Sequence, residues 1–398
     1  MPRTITDTIG TLADPGSDSD ERAQLRAVLA RMIAEVAPPE RVRELDENEE
    51  FDHELHKQLA AMGILALGGS PEDGGYGDGR DQLVAVEELA AGPTSTAVFL
   101  IVHYMAVQIL STCASAEQRE TVLAPLMSGE VKVSFALTEA GGGTDVARAM
   151  RTRAERTADG WRLNGSKTWI SGAQICDYLV VLARTAPLTE SSIDGITMFL
   201  VPRDTPGVEV RELPTVAVHG YDTNDVRFDD VILPANAIVG EVDSGFRQVI
   251  AVLNRERLNA AAGAVGAARG ALEASVRYAT EREAFGKHLG TMQAVQHRLV
   301  DGALAIEAAR SLMIRAAEIE VAGGRADILS SMAKIVASEA AVKVTQDGML
   351  MFAGAGFSRE FPIQRWFRDV RLWTFAPLTN DMARNYLGER YLGLGRSY

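Results

Sequence analysis

The spacing of apolar residues divides the chain into three zones. In the first zone apolar residues recur at helical intervals; Leu25, Leu29 and Ile33, for example, are four residues apart. From Glu130 the pattern changes to short segments rich in β-branched and aromatic residues, separated by turn residues, which is typical of an all-β module. From Ser244 the chain contains long Ala-rich helical stretches, which allow helices to pack closely in a bundle. The pattern predicts an α+β fold.

The changes of pattern also indicate domain boundaries. We predict a flexible tail over residues 1–20, an N-terminal helical domain over 21–130, a middle β-barrel or β-sandwich domain over 131–240, and a C-terminal four-helix bundle domain over 241–398. The tail includes ADPGSDSDE, an acidic and polar segment that is typical of neither a signal peptide nor a transit peptide. We therefore expect a cytoplasmic protein.

The longest apolar stretch, AVFLIVHYMAVQIL (Ala97–Leu110), is shorter than a membrane-spanning helix and contains His103. We predict that this stretch is a buried core helix and that the protein does not enter a membrane. His103 is expected to be a hydrogen-bonded core residue rather than a ligand to a bound group.

Composition and charge exclude several other classes of protein. Apolar residues make up 46% of the chain and charged residues 24%, which is ordinary for a soluble globular protein. The formal net charge is −14 and no run of Lys and Arg is present, which argues against binding to nucleic acid or an anionic membrane. The two cysteines, Cys113 and Cys176, are typical of a reducing compartment and have no metal-ligand neighbours, so no metal site is predicted.

The stretch DGWRLNGSKTWISG is similar to a phosphate-binding loop, because Gly160 and Gly165 are followed by Lys167 and Thr168. Such a loop requires a strand before it and a helix after its Lys-Thr pair. Here strand-like residues lie on both sides of Asn164-Gly165, a pair that favours a β-hairpin with Lys167 on its second strand. The stretch therefore does not indicate a nucleotide hydrolase.

Several longer motifs follow one another along the chain. They are PEDGGYGDG, FALTEAGGGTDVA, NGSKTWISG, VRFDDVILPANAIVG, YATEREAFGK and FAGAGFSREFPIQRWFRDVR. Their order and spacing make the chain similar to the acyl-CoA dehydrogenase family of flavoenzymes, over nearly its whole length after the first twenty residues. The resemblance implies the same three-part architecture, bound FAD, and the oxidation of an acyl thioester.

The resemblance implies that the β domain contacts FAD through Phe135, Leu137, Thr138, Gly143, Thr144, Trp169 and Ser171. The Gly-rich turn after Thr138 would let backbone N–H groups approach the cofactor closely. Trp169 would stack on the flavin ring; the alternative is an ordinary core aromatic of the β domain. Ser171 would bond near flavin N5, where family members often have Thr, and Thr144 would also contact the substrate.

A second group of FAD contacts is implied to come from a neighbouring subunit. Arg282 would pair with the pyrophosphate, since its planar guanidinium meets phosphate oxygens in pairs. Phe285 would pack on the cofactor, and Gln293 would meet its adenosine half. Taken alone, Arg282 lies between two Glu residues and is typical of a solvated helix charge. The shared site predicts a homo-oligomer, with a tetramer preferred over a dimer.

Four further positions are implied to contact FAD, namely Leu350, Gly354, Thr379 and Asp381. Leu350 stands where the family usually has Gln, so no side-chain hydrogen bond is expected there, while the glycine turn remains at Gly354. The usual catalytic Glu is also missing, because ungapped alignment puts Pro377 at its position. Proline is neither a base nor an N–H donor.

We predict that Glu256 is the base instead. A minority of the family, including the isovaleryl-CoA and long-chain enzymes, is similar to this chain in placing its Glu here. Partial desolvation on an apolar helix face would raise the pKa of this carboxyl toward the range of a general base. The alternative is a surface ion pair with Arg255 or Arg257. The apolar positions that share the helix face of Glu256 are Val249, Leu253, Ala260, Gly263 and Ala267.

The neighbours of Glu256 are expected to meet the substrate. By resemblance, Asn254 and Arg257 would contact the pantetheine or nucleotide part of the substrate, with Asn254 at a position where Asp is frequent. The alternative is that the segment NRER is a solvated helix face.

The leading interpretation is an FAD-dependent dehydrogenase that forms a double bond between Cα and Cβ of an acyl-CoA and passes electrons to an electron-transfer flavoprotein. Two alternatives share the fold: a dehydrogenase acting on acyl groups of an acyl-carrier protein in a biosynthetic pathway, and a flavin monooxygenase or oxidase. A catalytically silent member kept for assembly or binding is a third, and the flavin contacts argue against it. No motif encodes the length or branching of the acyl group.

Overall fold

The computed structural model describes residues 18–396, so most of the predicted tail lies outside the described residues. The chain forms two compact units. We call the first the helical unit; among the described residues it contains 18–55, Gly79–Val98 and 255–396. The second, the sheet unit, contains His56–Asp78 and Phe99–Asn254.

Helices occupy most of the first and third zones, as the periodicity predicts. In chain order they are α1 (Asp20–Val36), α2 (Pro39–Asn48), α3 (His53–Ala61), α4 (Gly79–Ala90), α5 (Thr94–Cys113), α6 (Ala116–Gln118), α7 (Ala124–Ser128), α8 (Val146–Ala149), α9 (Gly245–Glu281), α10 (Gln293–Val321), α11 (Asp327–Phe352), α12 (Ile363–Asp369), α13 (Leu372–Phe375) and α14 (Asn380–Arg390). A π-helical turn joins α6 to α7.

The N-terminal helix α1 shows how the local sequence specifies its own boundaries. The Ser19 side chain accepts a hydrogen bond from the Arg22 backbone and caps the helix, and two acidic residues lie in its first turn, where the positive end of the helix dipole favours them. Leu29 and Ile33, predicted from their spacing, are buried. The predicted helical face is therefore confirmed.

The apolar helix α5 is longer than the stretch from which it was predicted. At 20 residues it is long and apolar enough to cross a membrane, so the argument from shortness was wrong. Yet 72% of its most apolar window is buried inside the protein, which confirms a core helix. His103 is buried, and its Nε2 lies 2.8 Å from the carbonyl oxygen of Leu65. Burial lowers the pKa of His103 to about 4, so this histidine is a hydrogen-bonded core residue.

The β-rich zone forms one eight-stranded mixed sheet with the order β6-β7-β3-β2-β4-β5-β8, and β1 pairs with β4 in addition. The strands are β1 (Val133–Ala136), β2 (Arg153–Arg156), β3 (Gly160–Ser171), β4 (Tyr178–Arg184), β5 (Ile196–Pro202), β6 (Val208–Glu212), β7 (Thr223–Pro234) and β8 (Ile238–Val239). Strand β4 is parallel to β1 and β2; the other pairings are antiparallel.

The central strands of this sheet are buried on both faces. In β4, Val180 and Leu182 pack into one apolar cluster with residues of α5 and α7, while Val181 and Ala183 pack into a second cluster among the strands. Alternate residues of a strand point to opposite faces, so a strand between two cores reads as a continuous apolar run. The sequence YLVVLAR has this character.

The predicted hairpin at Asn164-Gly165 was wrong. Strand β3 continues through this pair, and its pairing with β7 shifts register between Leu163 and Gly165. A side chain on Gly165 would lie 2.6 Å from the Thr152 Cα, so a glycine is needed for close approach rather than for a turn. The strand also continues beyond Lys167, which agrees with the exclusion of a phosphate-binding loop.

The long helices of the helical unit pack closely where small residues meet. A side chain on Gly263 of α9 would lie 2.6 Å from the Trp373 ring, and one on Gly266 would lie 2.2 Å from the Glu87 carbonyl oxygen. The alanines of α9 between Ala260 and Ala271 are also buried, so the small residues of this helix serve close packing, as predicted.

A network of buried charges also joins these helices, and nothing in the sequence pattern predicted it. Arg269 of α9 donates two hydrogen bonds to Glu88 of α4, at 2.8 and 2.9 Å, and Arg310 of α10 donates to Glu87 at 2.8 Å. Arg26 of α1 reaches Glu88 at 2.5 Å. Burial opposes ionisation of Glu87, but the surrounding arginines outweigh it and lower its pKa to about 2.

Candidate active site

Trp169 is exposed on the surface of the sheet unit. The indole is 62% exposed, and its backbone has a left-handed φ of 61° at a register shift between Lys167 and Ile170 of β3. A bulge of this kind turns a side chain away from the regular alternation of a strand. The alternative interpretation of Trp169 as a core aromatic is therefore wrong.

The segment that precedes the Gly-rich turn lies directly beside this bulge. The Thr168 backbone N–H donates to the Thr138 carbonyl at 2.9 Å, and Lys167 Nζ donates to the Leu137 carbonyl at 2.9 Å. The structure thus brings Leu137, Thr138 and Trp169 together. Ser171 ends the same strand and is half-buried, as is Phe135 on β1.

A buried ion pair fixes these two segments, and sequence reasoning missed it. Lys167 Nζ donates to Glu139 Oε1 at 2.9 Å, and the Glu139 carboxylate also accepts from the backbone N–H groups of Arg151, at 2.7 Å, and Thr152, at 2.9 Å. Burial lowers the pKa of Lys167 to about 8, although Glu139 opposes the shift. The available signal was a lysine at an inward position of an apolar strand.

The Gly-rich turn itself is open on one side. A side chain on Gly142 would lie 2.2 Å from the Ala149 Cβ, whereas one on Gly143 would meet nothing within 4 Å. Gly143 and Thr144 are exposed. The backbone at these two residues is therefore accessible to a ligand.

In the helical unit, Glu256 lies on α9. The side chain is half-buried, and burial raises the pKa of its carboxyl to about 7 in spite of the neighbouring positive charge of Arg257. Arg255, a candidate ion-pair partner, instead donates to Glu320 at 3.0 Å and to Gln82 at 3.2 Å. The charged form of Glu256 is thus poorly solvated, which brings the pKa of this carboxyl into the range that suits a general base.

Arg257 faces the C-terminal helix α14. Its guanidinium carbon lies 5.8 Å from the centre of the Tyr386 ring, and the Tyr386 hydroxyl donates to Asp327 Oδ2 at 2.5 Å. Burial lowers the pKa of Arg257, while Tyr386, Glu256 and Asp327 oppose the shift. Asn254, which belongs to the sheet unit, is half-buried. Tyr386 and Asp327 carried no motif by which the sequence could have identified them.

The turn that replaces the usual acidic segment is held by a buried lysine. Lys334 Nζ donates to the Leu378 carbonyl at 2.5 Å and to Asn380 Oδ1 at 2.8 Å. Thr379 caps α14 by accepting from the Met382 backbone at 3.1 Å. Pro377 therefore lies in a fixed turn that contains no acid. Burial lowers the pKa of Lys334 to about 8.

The predicted subunit-crossing segment is an exposed hairpin. Strands β9 (Glu283–Ala284) and β10 (Lys287–His288) are joined by Phe285 and Gly286, both with left-handed φ values of 53° and 73°. Two such residues form the tight turn that suits a hairpin. The turn leaves the Phe285 ring 96% exposed.

The remaining predicted cofactor residues also lie at the surface of the helical unit. Arg282 and Gln293 are exposed, and Leu350 is 55% exposed. Gly354 has open space where a side chain would be. Thr379 and Asp381 line an open groove of about 610 Å³.

Three family models match the chain in order. They are described as the N-terminal, middle and C-terminal domains of acyl-CoA dehydrogenase, and they match residues 19–130, 134–231 and 243–392. Together they cover nearly all of the described chain.

Individual proteins agree with these matches. The chain is 34% identical over 358 residues to the mitochondrial short-chain specific acyl-CoA dehydrogenase of Homo sapiens, covering 89% of this chain and 85% of that protein. The structure is similar to butyryl-CoA dehydrogenase from Megasphaera elsdenii, with a TM-score of 0.89, 31% identity, and coverage of 94% and 99% of the two chains. It is also similar to PigA with FAD and proline, with a TM-score of 0.89, 26% identity, and coverage of 95% and 99%. The chain belongs to the acyl-CoA dehydrogenase family.

Proposed function

We propose that this protein is an FAD-dependent acyl-CoA dehydrogenase in which Glu256 is the catalytic base. The observation that carries the assignment is the half-buried carboxyl of Glu256, whose pKa of about 7 suits proton abstraction near neutral pH. Pro377 leaves the usual alternative position without an acid. The family relatives support the reaction class, since they are named for short-chain and butyryl-CoA dehydrogenation.

The chemistry removes two hydrogens from neighbouring carbons of the acyl chain. Glu256 takes the α-proton, the electron pair of that C–H bond becomes the new π bond, and the β-hydrogen leaves with its bonding pair. FAD, when bound, would supply the acceptor for that hydride. Because the substrate is a thioester, negative charge develops on its carbonyl oxygen during proton removal. The positive charge of Arg257 stabilises the carboxylate form of the base, Glu256.

The residues of the sheet unit fit a flavin. An exposed indole on a bulged strand offers a flat apolar surface, and the accessible backbone at Gly143 and Thr144 offers N–H groups. Phe135, Leu137, Thr138 and Ser171 would complete the contacts around the ring. The structure of PigA with FAD, similar over nearly the whole chain, supports this cofactor.

We also propose that the active protein is a homotetramer whose FAD sites are shared between subunits. The exposed hairpin tip at Phe285 supports this arrangement, because an aromatic ring that is 96% exposed in one subunit is available to pack against another. Phe357, at 91%, and Leu304, at 64%, are further large apolar side chains that a second copy would cover. An electron-transfer flavoprotein is the proposed electron acceptor.

The test of the proposed function is flavin reduction by substrate in the variant Glu256→Gln. We expect this variant to fold and to retain FAD. The rate at which acyl-CoA reduces its flavin under anaerobic conditions should fall by about 100-fold or more, the scale of general-base removal. The matched control is Glu241→Gln, which neutralises an exposed carboxylate just before the same helix and should leave the rate unchanged.

If the flavin of Glu256→Gln were reduced by acyl-CoA at the wild-type rate, Glu256 would not be the base. A panel of acyl-CoA and acyl-carrier-protein thioesters, assayed with an artificial electron acceptor, identifies the substrate class. Consumption of NAD(P)H together with oxygen would instead identify a monooxygenase.

A further inference from the structure

Tyr386 connects Arg257 to the beginning of α11. Its ring lies 5.8 Å from the Arg257 guanidinium carbon, and its hydroxyl donates to Asp327 Oδ2 at 2.5 Å. Arg325 binds the same carboxylate oxygen from the solvent side, at 3.2 Å. Residues of three helices of the helical unit thus meet at Tyr386, which contacts a cation through its ring and a carboxylate through its hydroxyl.

We propose that Tyr386, anchored by Asp327, is a positioning residue that holds the Arg257 guanidinium in one place and so fixes the electrostatic environment of the adjacent residue Glu256, the proposed base. The proposal rests on the proposed role of Glu256. The guanidinium packs on the face of the Tyr386 ring, where the aromatic quadrupole attracts a cation. The hydroxyl meanwhile donates to Asp327, a second carboxylate that attracts Arg257.

The charged groups around this pair come from several helices. On α9 itself, Arg255 is held by Glu320 and Gln82. From α11, Asp327 attracts Arg257, while the ammonium of Lys334 repels it.

Helix α14 contributes Tyr386 and Arg384, and Arg384 is paired with Glu339. Among these groups Arg257 is the one whose charge lowers the pKa of Glu256 against the effect of burial. The position of this guanidinium therefore influences the ionisation of Glu256, on which burial has the larger effect.

Removal of the ring has a defined sign. In Tyr386→Leu, Asp327 loses its hydroxyl donor and the guanidinium loses its stacking partner, so Arg257 moves toward Asp327. The carboxylate form of Glu256 is then less stabilised and its pKa rises further. Since the reaction requires the carboxylate form of Glu256, the rate of flavin reduction should rise at a higher pH in this variant than in the wild type.

The experiment is the pH dependence of anaerobic flavin reduction by acyl-CoA, measured by stopped flow. We expect Tyr386→Leu to shift the rise of the flavin-reduction rate to higher pH by about half a pH unit or more. This shift corresponds to a roughly threefold lower rate below neutral pH. Tyr386→Phe keeps the ring but removes the hydroxyl donor to Asp327, so we expect a smaller shift in the same direction. Tyr391→Leu is the matched control, because Tyr391 is 61% exposed and should have no effect.

A second variant tests the pull of Asp327. The double variant Tyr386→Leu with Asp327→Asn removes the competing carboxylate. We expect its flavin-reduction rate to rise at a pH closer to that of the wild type. If Tyr386→Leu does not fold, Tyr386→Met carries the same prediction with a side chain closer in volume.

If Glu256→Gln is inactive and Tyr386→Leu has the pH dependence of the wild type, or one shifted to lower pH, Tyr386 does not position Arg257. Full activity of Glu256→Gln would instead overturn the base assignment itself, so the two failures are distinguishable.

Discussion

At Glu256 two effects on one carboxyl oppose each other. Burial raises its pKa, the charge of Arg257 lowers it, and burial prevails to give about 7 against an ordinary value of 4.5. The sequence predicted the helical face and the desolvation, because both follow from apolar residues at helical spacing. It could not predict Tyr386 or Asp327, which lie far along the chain and meet Arg257 only through the packing of three helices.

The raised pKa of Glu256 has a consequence for stability. Between pH 4.5 and about 7 the folded protein keeps this carboxyl protonated while the unfolded chain ionises it, so stability falls as pH rises through that window. We expect Glu256→Gln, which cannot ionise, to be more stable than the wild type at pH 8 by about 1–3 kcal/mol, discounted for partial exposure.

Urea unfolding of both proteins at pH 4 and pH 8 measures this difference. The advantage of Glu256→Gln should disappear at pH 4, where both side chains are neutral. A difference that stays constant with pH would mean that the substitution acts through packing rather than ionisation.

Among the elements, β3 shows both the strength and the limit of pattern reasoning. Its β-branched and aromatic residues predicted a strand, and the structure has one. Asn164-Gly165 is a strong hairpin signal, but here the Asn164 amide donates to Asp230 at 2.9 Å, and Gly165 admits the Thr152 backbone. Both residues serve contacts with neighbouring strands, and a local pattern does not distinguish such contacts from a turn.

The same strand carries a prediction about the Lys167–Glu139 pair. Lys167→Met leaves the Glu139 carboxylate buried with only backbone partners, so we expect a loss of about 3–5 kcal/mol in the free energy of unfolding and weaker retention of FAD. The double variant Lys167→Met with Glu139→Gln removes both charges and should recover part of that loss.

Urea denaturation and flavin content measure these effects. Arg227→Gln is the control, because it breaks an exposed pair with Asp229 and should change stability by less than about 1 kcal/mol. If Lys167→Met is as mild as the control, the buried pair does not hold the segments that contain Leu137 and Trp169 in place.

For the whole molecule, the order of motifs predicted the family and the sequence of helical and β-rich zones. The buried network of Arg26, Glu88 and Arg269 was not predictable, since its members are 62 and 181 residues apart and each is typical of a solvated helix charge. Such contacts are specified by tertiary packing alone. The assembly of subunits likewise depends on surfaces that periodicity does not describe.

Sharing of the FAD site between subunits can be tested by mixing two defective chains. Arg282→Ala should weaken FAD binding by about 1–3 kcal/mol, the scale of a charged hydrogen bond, and combining it with Phe285→Ala should empty the site at low FAD concentration. Glu256→Gln should keep FAD but lack the proposed base. Co-refolded mixtures of these two chains place an intact Glu256 and an intact Arg282 in the same site only if Arg282 acts across a subunit boundary.

We expect each variant alone to be inactive at limiting FAD and the mixture to recover activity, up to about a quarter of the wild-type value if association is random. Light scattering should report a tetramer for the wild type, and Lys287→Ala in the same hairpin is the control for non-specific effects on flavin content. A mixture without activity, or a monomer that keeps stoichiometric FAD, would show that Arg282 and Phe285 do not serve a neighbouring subunit. Activity can recover only if Arg282 and Phe285 reach the FAD site of a neighbouring subunit, because no other combination of the two chains supplies a complete site.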